Sequence, residues 1–177
     1  MTDTIKLADD IYMVPWEEGN GQIRREVWVD PEGKVARYYL AYLNQDVFQG
    51  DDGMVLGYYY NNGILSGHLM GRETAIEFSS LVGLEEGFNK EWNDVPKQRL
   101  PAIPQGAAGP NENKFDGIDD YPETKMMKLT ITKGSATDFF RRGKELAGKL
   151  DRGEDAEPER VVIFGNRQDL CYSLLTK

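Results

Sequence analysis

The sequence predicts an α+β fold: an antiparallel β-sheet with a C-terminal helix, a linker, and then a small β-α-β-α module. Three observations predict it. Two pairs of β-branched and aromatic runs flank tight-turn sequences, "DPEGK" and "NNG". A proline-rich stretch without sustained apolar periodicity then interrupts the chain. Beyond it, strand-like and helix-like patterns alternate within roughly fifty residues.

Each element follows from its residues. "QIRREVWV" and "KVARYYLAYL" join through the Pro/Gly turn as a hairpin over 22–43. "MVLGYYY" and "ILSGHLM" form a second pair, because Asn62-Gly63 readily takes the positive φ angles of a tight turn. From Glu73, Ile76, Leu81, Leu84, Phe88 and Trp92 recur at near-helical spacing and predict a helix, with Gly83 and Gly87 each weakening it by about 1 kcal/mol. These residues make a β-sheet-plus-helix domain over 1–95.

Residues 96–125 read as a linker, in which Phe115, Ile118 and Tyr121 offer local anchors. Residues 126–177 follow as the module. "MMKLTIT" is a strand, Ser135 caps a helix carrying Phe139, Leu146 and Leu150 and stopping at Gly153, and "RVVIF" is a second strand. "NRQDLCYSLLTK", capped by Asn166, is a final helix. A unit this small rarely buries enough surface to stand alone, so Phe139 and Phe140 are expected to dock on a partner surface.

Composition narrows the function. A net charge of −9 gives an average surface that repels nucleic acid and anionic lipid. No apolar run approaches the ~20 residues of a bilayer span. The N-terminal "MTDTIKLADD" is acidic where a signal peptide would be basic and apolar, so a cytoplasmic location is expected. A single cysteine, Cys171, excludes an internal disulfide and a multi-cysteine metal site; set in the final helix, it is expected to be buried and inert. Neither a metal-ligand spacing nor a phosphate-cradling glycine loop is present, so no metal and no cofactor are expected. Charge is uneven: 1–110 carry 9 Lys/Arg against 17 Asp/Glu, whereas 111–177 carry 12 against 13.

Two stretches carry a family resemblance. "MKLTITKGSATDFFRRGKELAGKLDRGEDAEPERVVIFGNRQDLCYSLLTK", residues 127–177, resembles the N-terminal part of the antitoxins of TumE/TumA-type toxin–antitoxin pairs. "ARYYLAYLNQDVF", "DDGMVLGYYYNNG" and "HLMG" resemble the TumE-type toxin, with one histidine where that family has a cluster. Met126 or Met127 stands where a separate antitoxin would start. The resemblance implies a toxin-like domain held neutralised by a fused antitoxin module. In that family a winged helix-turn-helix domain follows; here the sequence ends where it would begin, so specific DNA binding is not expected. The partners implied are the toxin–antitoxin contact itself, RNA, and a second copy of the chain.

The resemblance also implies a ribonuclease-type toxin with a degenerate site. Metal-independent RNA cleavage needs a general base, a general acid and a cation on the phosphate. His68, the single histidine, is the candidate for proton transfer, and Arg72 for the phosphate. Tyr60, or its neighbours Tyr58 and Tyr59, would supply a hydroxyl or a stacking face. Asp51 or Asp52 would stand in for the missing second histidine. The competing readings are a turn histidine between glycines, an exposed Arg72 and tyrosines packed on the sheet. Arg24, Arg25 and Arg37 form a candidate basic stripe on the first hairpin, with Arg25 and Arg37 on one face. The alternative function is a non-catalytic acidic interaction or immunity protein.

Overall fold

The computed structural model describes residues 3–95 and 127–165. The first strand is one the sequence pattern did not announce: β1, Ile5–Met13. It is followed by β2 (Gln22–Val29) and β3 (Val35–Leu43), then β4 (Met54–Asn61), β5 (Ile64–Leu69) and β6 (Arg72–Ile76). Helix α1 (Leu81–Asp94) comes next, and after it β7 (Lys128–Lys133), α2 (Ala136–Asp151) and β8 (Glu159–Phe164).

All eight strands form a single sheet in the order β6-β5-β4-β3-β2-β1-β8-β7. From β1 to β6 it is an antiparallel meander, whereas β8 runs parallel to both β1 and β7. This corrects the predicted fold class. The sheet is mixed, and residues 127–165 extend it instead of forming a separate β-α-β-α module. The physical reason lies in β8, where Val161 to Phe164 are all buried: a continuous apolar run needs cover on both faces and suits an interior parallel strand. The predicted linker and final helix, with Phe115, Tyr121 and Cys171, lie outside the described residues.

A second correction concerns the helix from Glu73. Met70 and Gly71, with φ of 45° and 78°, make a tight turn that sends 72–76 back along β5 as a strand. The helix begins only at Leu81, where the Ser80 hydroxyl accepts from the Gly83 N–H at 2.9 Å. The Asn62-Gly63 turn joins β4 to β5 with φ of 47° and 95°.

Both helices pack on one face of the sheet. α1 presents Leu81, Leu84, Phe88 and Trp92, and α2 presents Phe139, Phe140 and Ala147. The Phe88 ring stands edge-on to Tyr58 at 5.6 Å and tilts against Phe140 at 6.1 Å; Trp92 contacts Phe140 at 5.6 Å and Tyr42 at 6.4 Å. Phe139 reaches Tyr12 of β1 at 6.2 Å. The helices are also joined end to end. The Asp151 carboxylate, at the last turn of α2, accepts from the Leu81 and Val82 N–H groups at 3.0 Å each, satisfying two orphan donors of α1. No helix among the described residues is long and apolar enough to cross a membrane.

Gly143 sets how closely α2 approaches the sheet. A methyl group there would overlap the Arg25 guanidinium below it. Gly143→Ala is expected to cost about 1–3 kcal/mol of stability through overpacking, despite the better helix propensity of alanine, and chemical denaturation reads this directly.

Candidate functional site

The alternation of β2 places Ile23, Arg25, Val27 and Val29 in the buried phase. Arg25 is therefore carried into the interior, where its side chain is fully buried. All three of its guanidinium nitrogens donate hydrogen bonds. Nε and Nη2 donate to Glu85 Oε1 and Oε2 of α1 at 2.5 and 2.8 Å, and Nη1 donates to Asp10 Oδ2 of β1 at 3.0 Å. Nη2 also donates to the Phe139 carbonyl of α2 at 3.3 Å, and the guanidinium lies over the Phe139 ring at 4.0 Å. The Tyr38 hydroxyl of β3 donates a short hydrogen bond to Glu85 Oε1. Arg142 closes the outer side, with Nε 3.5 Å from Asp10 Oδ2 and Nη2 donating to Glu159 Oε2 at 2.7 Å.

The electrostatics follow from this packing. Burial raises the Asp10 carboxyl above its ordinary 3.8, outweighing the lowering by Arg25 and Arg142. Burial and then the neighbouring Glu85 push the Tyr38 hydroxyl well up, so it stays a donor. Burial would lower the Arg25 pKa, but Glu85, Tyr38 and Asp10 together hold it above its ordinary value. The cluster is a permanently charged arginine shared by two carboxylates from different elements.

The residues expected to form a catalytic site do not converge. In the β4–β5–β6 register His68 opposes Gly57 and Glu73, whereas Tyr60 opposes Leu65 and Arg72 opposes Leu69. Cross-strand partners share a face and neighbours along a strand alternate, so His68 lies on one face while Tyr60 and Arg72 lie on the other. Tyr60 is buried against Phe78 at 4.5 Å, and Arg72 is exposed on the edge strand. His68 is partly exposed, with Nε2 3.4 Å from Ser66 Oγ and 3.9 Å from Glu73 Oε1. It is a strand residue, not a turn residue. Asp51 and Asp52 sit in an exposed 3-10 turn. Among the described residues no group of three His, Cys, Asp or Glu side chains could hold a metal ion.

The proposed arginine stripe divides as well. Arg37 opposes Trp28 and Arg24 opposes Ala41, so these two arginines share the face away from the helices while Arg25 points into the core. Arg24 pairs there with Glu26 at 2.6 Å. Phe139 and Phe140 meet between α1, α2 and the sheet, their rings edge-on at 5.4 Å. The functional reading of the sequence set Arg25 in a basic stripe instead of the interior, and missed Glu85, Asp10 and Tyr38. For Arg25 a signal existed: it stands in phase with Ile23 and Val27. Asp10 and Glu85 carry no such mark.

Nor do the described strands of the second half lie near His68. β5 and β8 are five strand positions apart in the sheet, roughly 24 Å at ~4.8 Å per strand. What 127–165 covers is β1, α1 and the Arg25 cluster. In comparisons with known proteins, no family, curated protein or solved structure matches this chain.

Two outcomes follow for the cluster. Arg25→Met leaves Asp10 and Glu85 buried without their cation and is expected to cost about 3–5 kcal/mol, whereas replacing all three by apolar residues of similar volume recovers most of that loss; urea denaturation of both variants checks it. For Asp10, the folded chain holds the carboxyl proton more tightly than the unfolded chain. This contribution is complete below about pH 4 and is lost as the pH rises through the raised value. The deficit of Asp10→Asn against the native protein is thus largest at about pH 4 and narrows on moving to neutral pH, read as the difference in Tm.

Proposed function

We propose that the chain is a toxin–antitoxin-type unit in which residues 127–165, the antitoxin-like part, hold the toxin-like residues 3–95 neutralised. The observation that carries this reading is the seat of α2 on Arg25: the Phe139 carbonyl accepts from the guanidinium, and Gly143 leaves room for it. Three further contacts between the halves support it. β8 adds to the β1 edge over Ala8–Met13, a strand-addition mode of recognition. Asp151 caps α1. Lys144 pairs with Glu86 across the two helices at 2.5 Å. These are the contacts of a bound partner, made here within one chain.

The neutralisation proposed is one of conformation. The described antitoxin-like elements are remote from His68, and His68, Arg72 and Tyr60 are not one catalytic constellation. The dispersal of those three residues favours, as a second reading, a non-catalytic acidic interaction protein.

Expression separates the two. Residues 1–110 produced alone are expected to arrest growth, and residues 127–177 supplied in trans should relieve the arrest. Because His68 stands apart from Arg72 and Tyr60, the arrest should persist in His68→Ala. A soluble fragment that leaves growth unaffected contradicts the toxin reading and favours the interaction protein.

A further inference from the structure

The sheet has two outer strands of different character. β6 is five residues long, and its exposed side chains, Arg72, Glu73, Thr74 and Ala75, include no large apolar group. β7 carries Leu129 and Ile131, which are 58% and 45% exposed. They register with Arg160 and Val162 of β8, so both lie on the face away from the helices. Among the described residues, no strand pairs with the side of β7 opposite β8. Main-chain donors and acceptors beside two exposed aliphatic side chains are what strand addition uses.

We propose that β7 pairs antiparallel with β7 of a second copy of this chain, about a two-fold axis through Thr130, so that the two sheets become continuous. The register follows from the pleat. Opposed residues must share a face, so in a symmetric pair their numbers sum to an even value. Setting Thr130 against itself uses the whole of 127–133. It places Leu129 of each copy opposite Ile131 of the other, giving two identical apolar cross-strand pairs. The lysines are kept apart: Lys128 faces Thr132, and Lys133 faces Met127. A register centred on Ile131 instead sets Lys133 against Leu129.

Several features favour a second copy over an unrelated strand. The edge is complementary to itself, so the contact is isologous and closes at two chains. Its charge also fits. The strand's two cations, Lys128 and Lys133, face Thr132 and Met127 of the other copy, so no like charges stand directly opposite each other. The inference does not depend on the toxin–antitoxin reading.

The test is the mass of the full-length chain in solution by light scattering, across a dilution series. The native chain is expected to be dimeric. Leu129→Glu places a carboxylate opposite Ile131 of the other copy, and Ile131→Lys places an ammonium opposite Leu129. Each is expected to weaken the dimer by at least about tenfold, and because both side chains are exposed the circular dichroism should be unchanged. The double variant Leu129→Glu/Ile131→Lys sets each new glutamate opposite a new lysine and should restore the dimer. A monomeric native chain, or single variants as dimeric as the native chain, would overturn the proposal. A double variant no more dimeric than the single ones would overturn the register.

Discussion

The fold depends on the burial of one positive charge. Removing a guanidinium from water is expensive, and the cost is offset only when its donors are matched and its counter-charges lie close. Arg25 meets that condition with groups from five elements: its own β2, Asp10 of β1, Glu85 of α1, the Phe139 carbonyl and ring of α2, and, through Glu85, Tyr38 of β3. No pair of these elements satisfies it alone. The helix face of the sheet, the tilt of α1 and the seat of α2 are consequently set together. The aromatic contacts of Phe88, Trp92, Phe139 and Phe140 then supply apolar burial around a geometry that the charge has already defined.

Seen this way, residues 127–165 are part of the solution to a problem created by residues 3–95. The first half carries a buried arginine, a β1 edge beyond β2, and two N–H groups of α1, those of Leu81 and Val82, that the Ser80 cap does not reach. α2 and β8 answer each of these: a carbonyl and a glycine for the arginine, a parallel strand for the edge, and Asp151 for the helix terminus. Charge, edge and cap are thus complementary between two segments of one chain.

Much of the sheet was legible in the sequence because its strands obey local rules. In the hairpin over 22–43 β2 alternates cleanly and a Pro/Gly turn follows it, and the Asn62-Gly63 turn fixes the next pair. Ser135 as the cap of α2 was equally local; the structure adds a capping box with Asp138 that the sequence reading did not name. β1 was not legible because Asp9 and Asp10 interrupt its apolar pattern; Asp9 is buried against Lys6 of its own strand and against Arg24 and Arg160, and Asp10 against Arg25 and Arg142. β6 was lost because "ETAI" joins smoothly to the apolar spacing of the true helix. The candidate site failed for a related reason. Proximity in sequence put His68, Tyr60 and Arg72 together, and the two-residue period of the sheet separated them. The pairing of Arg25 with Glu85, sixty residues away, is a tertiary fact.

β7, α2 and β8 would, on the reading proposed above, dock on Arg25 as one unit, distinct in stability from the β2–β4 core. Native-state hydrogen exchange on the full chain tests it most directly, because cooperative units that separate from a core exchange together at a lower free energy than global unfolding. The amides of α2 and β8 are expected to open as one group below the protection of β2, β3 and β4, with the Leu81 and Val82 amides capped by Asp151 opening alongside them. Exchange of α2 and β8 at the same free energy as β2–β4 would contradict it, since the second half would then be an inseparable part of one cooperative core.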